Sequence, residues 1–326
     1  MNLKSLLALL ADGAFHSGED LGNTLGISRA AVWKQIERLR KLGVDIHSVT
    51  GKGYRMPASL SLLDKDIILA HLGDLAPTLS DQIDVLFSID STNLEAMRQI
   101  QQGVGSRIIV AEHQGSGRGR RGRAWVSPLG ASIYLSVVVS FHSGIAALEG
   151  LSLAVAVMVR RAVVRCGCQG AGLKWPNDLH IDGRKIAGIL LEINGDLTGP
   201  CRVIIGIGLN VNIPESAART IDQPFSDLAS HSHRELDRNR VLAILIQEIH
   251  AGLARFEEGG FAAFHAEWDV ADVYKGRSVE LTSGSNKVKG VVRGVTDTGA
   301  LLLETDSGVR AMAGGELNCG LRETFG

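Results

Sequence analysis

Apolar and polar positions follow two different rhythms along this chain. Residues 3–11 are apolar at helical spacing and stop at Asp12-Gly13. Ser17, with Asp20 three residues on, opens a second helix over 18–25 as a capping box would. Gly26-Ile27-Ser28 is a tight turn. Ser28 caps a third helix over 29–42, closed by Gly43, with Val32, Ile36 and Leu39 on one face. Strands over 44–49 and 54–56 then flank Thr50-Gly51-Lys52-Gly53.

After a linker at Pro57-Ala58-Ser59, longer elements alternate. A helix over 64–72 precedes a strand over 85–89, which empties through Asp90-Ser91-Thr92-Asn93 into a helix over 94–102. Strands are expected over 107–111 and 132–141, and a strongly apolar helix over 148–166. Pro176 forces Trp175 to be extended, so Lys174-Trp175-Pro176-Asn177-Asp178 is not helical and can turn several polar groups toward one site. Leu179-His180-Ile181 and 185–193 make a hairpin on Asp182-Gly183. A strand over 201–208 runs into Leu209-Asn210-Val211-Asn212. Residues 214–235 read as an irregular loop anchored by Ile221, Phe225 and Leu228, followed by helices over 240–256 and 261–268. Beyond Asp272 the rhythm changes to short strands, 278–282, 287–295, 301–304 and 310–313, a small β-barrel of SH3-like size.

Composition narrows the class. The 326 residues are 45% hydrophobic and 21% charged, enough for more than one core. Cys166, Cys168, Cys201 and Cys319 form no C-x-x-C pair and no disulfide framework, which favours a reducing compartment. The longest apolar run, Leu153 to Val159, is far short of a membrane span, and no signal segment opens the chain. A cytoplasmic protein without membrane contact is expected. Net charge is −1, but Arg29 to Arg55 holds seven Lys/Arg against two acids, a local +5. Two helices, a turn, a basic third helix and a basic hairpin describe a winged helix-turn-helix rather than a plain three-helix cap. Ser28, Arg29, Lys34, Arg38, Lys52 and Arg55 are its candidate DNA contacts.

The densest chemistry lies at Gly115-Ser116-Gly117-Arg118-Gly119-Arg120-Arg121-Gly122-Arg123. Glycine lets a backbone approach a ligand, and arginine forks match carboxylate or phosphate, so the stretch describes a mobile anion clamp. Gly117, Gly119 and Gly122 also satisfy the dinucleotide fingerprint G-x-G-x-x-G. That fingerprint requires a helix directly after it, and Ala124-Trp125-Val126-Ser127-Pro128 does not supply one. A disordered basic surface loop is the competing reading. The short polar side chains of Ser91, Thr92 and Asn93 can cap a helix or hold a polar head group at the sheet edge.

These motifs occur in one order: Ser91-Thr92-Asn93, Gln114 with 117–123, Lys174-Trp175-Pro176-Asn177-Asp178, Lys185-Ile186-Ala187-Gly188-Ile189-Leu190 and Gly206-Ile207-Gly208-Leu209-Asn210. The series resembles that of biotin–protein ligases. With the N-terminal head, the chain is similar over nearly its full length to the bifunctional type, which is also a biotin operon repressor. The resemblance implies an α/β (α+β) multidomain protein: a winged helix-turn-helix (1–58), a class II synthetase-like catalytic domain on a mixed sheet (62–270) and an SH3-like C-terminal domain (272–326). It implies biotin and ATP as substrates with Mg2+, biotinyl-5′-AMP as intermediate, and the biotin carboxyl carrier protein of acetyl-CoA carboxylase as acceptor. It further implies operator DNA of biotin synthesis genes as a partner, and a homodimer when adenylate is bound.

By resemblance, Ser91, Thr92, Asn93 and Gln114 surround the ureido ring, and Arg118, Gly119, Arg120 and Lys185 lie toward the carboxylate, with Arg120 and Lys185 catalytic. Arg121, Lys174, Asn177, Asp178 and Asn210 fall on the adenylate or metal side, with Asp178 the candidate metal ligand. The operator sequence is not implied: Trp33, facing outward on the third helix, follows no legible pattern. Two other readings use the same residues. A lipoate or octanoate ligase shares the fold but not this Gly-Arg series or the winged head. A ligand-sensing transcription factor without ligase activity would not need Lys185 and the loop arginines, which are all present.

Overall fold

A computed structural model describes residues 3–56, 60–195 and 199–318. The linker expected at 57–59 lies outside the described residues, as do Cys319 and the chain end. The head is α1 (Leu3–Leu10), α2 (Gly18–Leu25) and α3 (Arg29–Lys41), then β1 (His47–Val49) and β2 (Gly53–Arg55) as an antiparallel hairpin. Ser17 Oγ accepts from Asp20 N at 3.0 Å and Ser28 Oγ from Ala31 N at 3.2 Å, so both expected caps form. The first expected strand is shorter than its apolar pattern. Val44 and Ile46 turn inward with Leu6, Leu10, Val32, Ile36 and Leu39 to fill the head's own core.

The central part begins with α4 (Lys65–Leu72) and the one-turn α5 (Ala76–Leu79). It continues through β3 (Ile83–Leu86), α6 (Thr92–Gln101), β4 (Arg107–Ala111), β5 (Ser132–Phe141) and α7 (Leu151–Arg165). Strands β6 (Gly172–Lys174), β7 (Asp178–Ile181), β8 (Arg184–Gly195) and β9 (Cys201–Asn210) complete a seven-stranded sheet in the order β3-β4-β5-β9-β8-β7-β6. Only β3 and β4 pair in parallel. The one-turn α8 (Glu215–Ala218), α9 (Arg238–Gly259) and α10 (His265–Ala271) follow. Apolar side chains of α4, α7 and α9 cover one face of the sheet. On the other face α6 buries Ala96 and Ile100 against Ile109, Val138 and Ile204. That helix covers only part of its face. The remainder is the floor of a cavity.

Five antiparallel strands close the chain: β10 (Ser278–Ser283), β11 (Asn286–Val295), β12 (Leu301–Thr305), β13 (Gly308–Met312) and β14 (Glu316–Asn318), in the order β13-β12-β11-β10-β14. Their apolar side chains, Val279, Leu281, Val292 and Leu303 among them, run into the central core. Trp175 Nε1 donates to Gly299 O at 3.0 Å across that junction. Asp182 and Gly183 both have positive φ, 50° and 73°, the geometry the Asp-Gly turn of the β7–β8 hairpin needs.

Candidate active site

The cavity, about 880 Å³, opens on the α6 face of the central sheet. Its floor is made by omission. Gly206, Gly208 and Gly188 point toward it from β9 and β8. A methyl group at Gly206 would stand 2.4 Å from Asn93 Oδ1, and one at Gly208 2.4 Å from the Trp125 ring. Any side chain there would fill the space the neighbouring groups now occupy.

One end of the cavity is a hydroxyl and amide cluster at the start of α6. Ser91, Thr92 and Asn93 are buried. Thr92 N donates to Gln114 Oε1 at 2.9 Å, and Gln114 Nε2 donates to Ser127 Oγ at 3.0 Å. Ser136 Oγ lies 2.8 Å from Thr92 Oγ1 and donates to Asn93 Oδ1, while Asn93 Nδ2 donates to Glu192 Oε2 at 2.7 Å. Ser91 occupies the N-cap position of α6, yet its side chain makes no capping bond. Its hydroxyl is thereby available to a ligand. The cluster offers donors and acceptors fixed by one another, which suits a flat polar head group.

The Gly-Arg stretch forms the roof, and it is folded rather than disordered. Gly119 N donates to Arg123 O at 2.8 Å, a single 3-10 turn spans Arg120–Gly122, and Arg121 sits at φ 56°. Gly117 approaches so closely that a methyl there would be 2.4 Å from Trp125 O. Arg118 pairs with Glu192 at 3.2 Å. Arg120 Nη1 donates to Asn177 Oδ1 at 2.9 Å. Burial, then the neighbouring charges of Arg121 and Arg123, pull the Arg120 pKa below the ordinary guanidinium value. Crowded cations of this kind favour an incoming anion. Arg121 and Arg123 both reach Glu316 on β14, at 3.2 and 2.7 Å. Burial pushes the Glu316 carboxyl up, but these two cations outweigh it and hold it below the usual carboxylate range.

Beyond the roof, Lys185 Nζ lies 2.8 Å from Asp178 Oδ1 and 5.4 Å from the centre of the Trp125 ring. Lys174 Nζ stands 5.5 Å over the Tyr274 ring. His180 lines the same end, and its Nε2 is buried without a partner. Burial, reinforced by the Lys174 charge, lowers its pKa to about 4, so the ring is neutral. Segment 224–228 closes this side, with Lys185 N donating to Pro224 O and Ser226 N to Lys185 O.

Ser91, Thr92, Asn93, Gln114, Arg118, Gly119, Arg120, Arg121, Lys174, Asn177, Asp178 and Lys185 therefore line one cavity. Asn210 does not. Its Nδ2 donates to Ser226 O at 3.0 Å, and it fixes the 224–228 segment from behind. Asn177 also has a structural duty, since its Nδ2 binds Ile189 O while its Oδ1 holds Arg120. Among the described residues no group of three or more His, Cys, Asp or Glu could hold a metal by itself. Sequence reading passed over Trp125, Ser136, Glu192, Tyr274 and Glu316. Only Trp125 carried a signal, as the one aromatic directly after the clamp.

In the head, Arg29 and Lys34 lie exposed on α3 with Arg38. Arg55 Nε donates to Gly13 O at 2.9 Å, and both Lys52 and Arg55 stand over the Phe15 ring.

Profiles of known families match in three places: an HTH domain at 2–55, the Biotin/lipoate A/B protein ligase family at 85–210 and the Biotin protein ligase C terminal domain at 275–317. The chain is 40% identical over 313 residues to the Bifunctional ligase/repressor BirA of Escherichia coli (strain K12), covering 96% of this chain and 95% of that protein. It is 29% identical to the protein of the same name from Bacillus subtilis (strain 168), over 97% and 98% of the two chains. The biotin protein ligase of Aquifex aeolicus, solved with biotin and ATP, superposes at a TM-score of 0.62 and 29% identity, covering 73% of this chain and 97% of that one. No described helix is long and apolar enough to cross a membrane.

Proposed function

The chain belongs to the family of bifunctional biotin ligase/repressors, and from that membership and the cavity we infer an ATP-dependent biotin–[acetyl-CoA-carboxylase] ligase that also acts as a biotinyl-AMP-dependent transcriptional repressor. One observation carries the reading: a fixed hydroxyl–amide cluster and a roof of arginines share a single cavity with Lys185. A biotin carboxylate oxygen attacks the α-phosphorus of ATP, a bond to the bridging oxygen breaks, and pyrophosphate leaves. The nucleophile and the phosphate are both anions, so positioned cations lower the barrier. Arg118 and Arg120 serve the carboxylate, Lys185 stands where carboxylate and phosphate meet, and Arg121, Lys174 and Asp178 lie toward the nucleotide. Ser91, Thr92, Asn93 and Gln114 take the ureido ring. In the second step the acceptor lysine amine attacks the acyl carbon, AMP leaves and the amine gives up a proton. Until then the roof excludes water from a mixed anhydride that water would hydrolyse.

Asp178 is a single carboxylate, already beside Lys185. It suits Mg2+ held mainly by phosphate oxygens, which would supply charge neutralisation on the phosphates. We take residues 1–58, 62–270 and 272–326 as the DNA-binding, catalytic and C-terminal units of a cytoplasmic protein, the acceptor as the biotin carboxyl carrier protein, and the operator as lying in biotin synthesis genes. A homodimer is supported by β8. Its pairing with β7 ends at Gly188 while the strand runs on to Gly195, leaving an edge that carries exposed Ile193. Incubation with ATP, labelled biotin and a carrier domain tests the enzyme reading: the carrier should gain one biotinyl group in mass. An unmodified carrier in the presence of active substrates would overturn it.

A further inference from the structure

The head presents a 53% exposed Trp33 on α3, in the half of the recognition helix that meets base edges in this fold class. Two of the head's cations, Arg40 and Arg55, are tied back, while Arg29 and Arg38 stay exposed on α3. Arg40 donates to Glu37, to Ile46 O at 3.1 Å and to Ser48 on the hairpin side. Arg55 is held by Gly13 O. The stem of Arg29 lies over α2, where a methyl at Gly18 would be 3.3 Å from Arg29 Cγ. Arg38 sits in the last turn, beside Gln35 at 3.4 Å.

Ala30, Trp33 and Lys34 are exposed neighbours at helical spacing in the N-terminal half, with Arg29, also exposed, on the side toward α2. Those three side chains include neither a fork able to read guanine nor an amide able to read adenine. What they offer is apolar surface, and the apolar group in the major groove is the thymine methyl. The surrounding charge, +5 over residues 29–55, suits a polyanion and not an apolar protein partner.

We propose that Trp33, with the Ala30 methyl beside it, reads a thymine methyl in each operator half-site while Lys34 holds phosphate. This rests on the DNA-binding reading of the head. The test selects duplexes from a random pool with the full chain, biotin and ATP, then replaces each thymine of the enriched site by uracil, which removes the methyl group alone. One uracil position per half-site should weaken binding about 4-fold, the worth of one buried methyl. Trp33→Ala should select sequences without that thymine and show no uracil effect. An enriched site indifferent to uracil at every position overturns the proposal and leaves DNA binding intact. Failure of the wild type to enrich any sequence overturns both.

Discussion

Arg120 ties the roof to the sheet. Its guanidinium is held by Asn177, which is itself bonded to the β8 backbone, so the roof is latched to the sheet through one side chain. Arg120→Gly removes both the latch and, on the proposed reading, a charge that holds the activated carboxyl end of the adenylate. The adenylate should leak, and biotin label should spread to lysines of a bystander protein at least ~10-fold faster, the worth of one charge-assisted bond. Label confined to the carrier would contradict the clamp. Lys185→Ala, by removing the cation beside Asp178, should slow single-turnover adenylation by ~100-fold or more without lowering the melting temperature appreciably. An unchanged rate would take Lys185 out of the chemistry.

His180 gives the same scale a pH signature. The folded ring resists protonation until about pH 4, whereas an unfolded chain takes up the proton near 6.5. The stability this confers is complete above pH 6.5 and is lost as pH falls toward 4, with a ceiling of about 3 kcal/mol. Urea unfolding of wild type and His180→Phe at pH 7 and pH 5 should show the variant losing less between the two. Equal losses would contradict the neutral buried ring.

At the scale of elements, the connection between head and catalytic sheet is a polar strap. Glu112, directly after β4, accepts from Leu63 N and from Arg238 at the start of α9, while Asn239 accepts from Asp64 N at 2.8 Å and donates to Leu62 O at 3.2 Å. Both charges are almost wholly buried, and burial pushes the Glu112 carboxyl up despite Arg238. Removing one partner strands the other, so Glu112→Ala should cost about 3–5 kcal/mol in urea unfolding. A loss below about 1 kcal/mol would mean that the pair is dispensable.

None of this strap was legible in sequence, because its members are up to 177 positions apart and carry no local pattern. Elements defined by local rules were legible: the Ser17 and Ser28 caps, α3, the Asp182-Gly183 hairpin and the long apolar strands. Missed elements were short ones, the strands β6 and β14 of three residues each and the one-turn helices α5 and α8, too brief to show a period. Strand β3 begins two residues before its expected start, at Ile83, since Ile83 fits a strand as well as a preceding turn. The site was legible where residue type alone narrows the chemistry, as in the Gly-Arg stretch. Asn210 was misplaced because an asparagine at a strand end looks alike whether it faces a ligand or a loop.

On the scale of the whole molecule, the segment that follows the roof is in direct contact with the head. The chain leaving the clamp runs through Pro128 and Leu129. Leu129 N donates to Leu42 O at 2.7 Å, and its side chain is buried in the head's core. Gly43, at φ 87°, allows this approach, since a methyl there would stand 2.6 Å from Pro128 Cβ. A change in the roof on adenylate binding would have a short path, through Pro128 and Leu129, to the end of the recognition helix. By linkage, whatever adenylate adds to dimerisation or DNA affinity must be returned when it is consumed. The direct measurement loads the full chain with biotin and ATP on its selected duplex, then titrates unbiotinylated carrier while following carrier mass and DNA anisotropy together. Carrier should gain biotin and DNA should be released in step. Carrier fully biotinylated with the DNA complex intact would contradict a single adenylate site governing both activities.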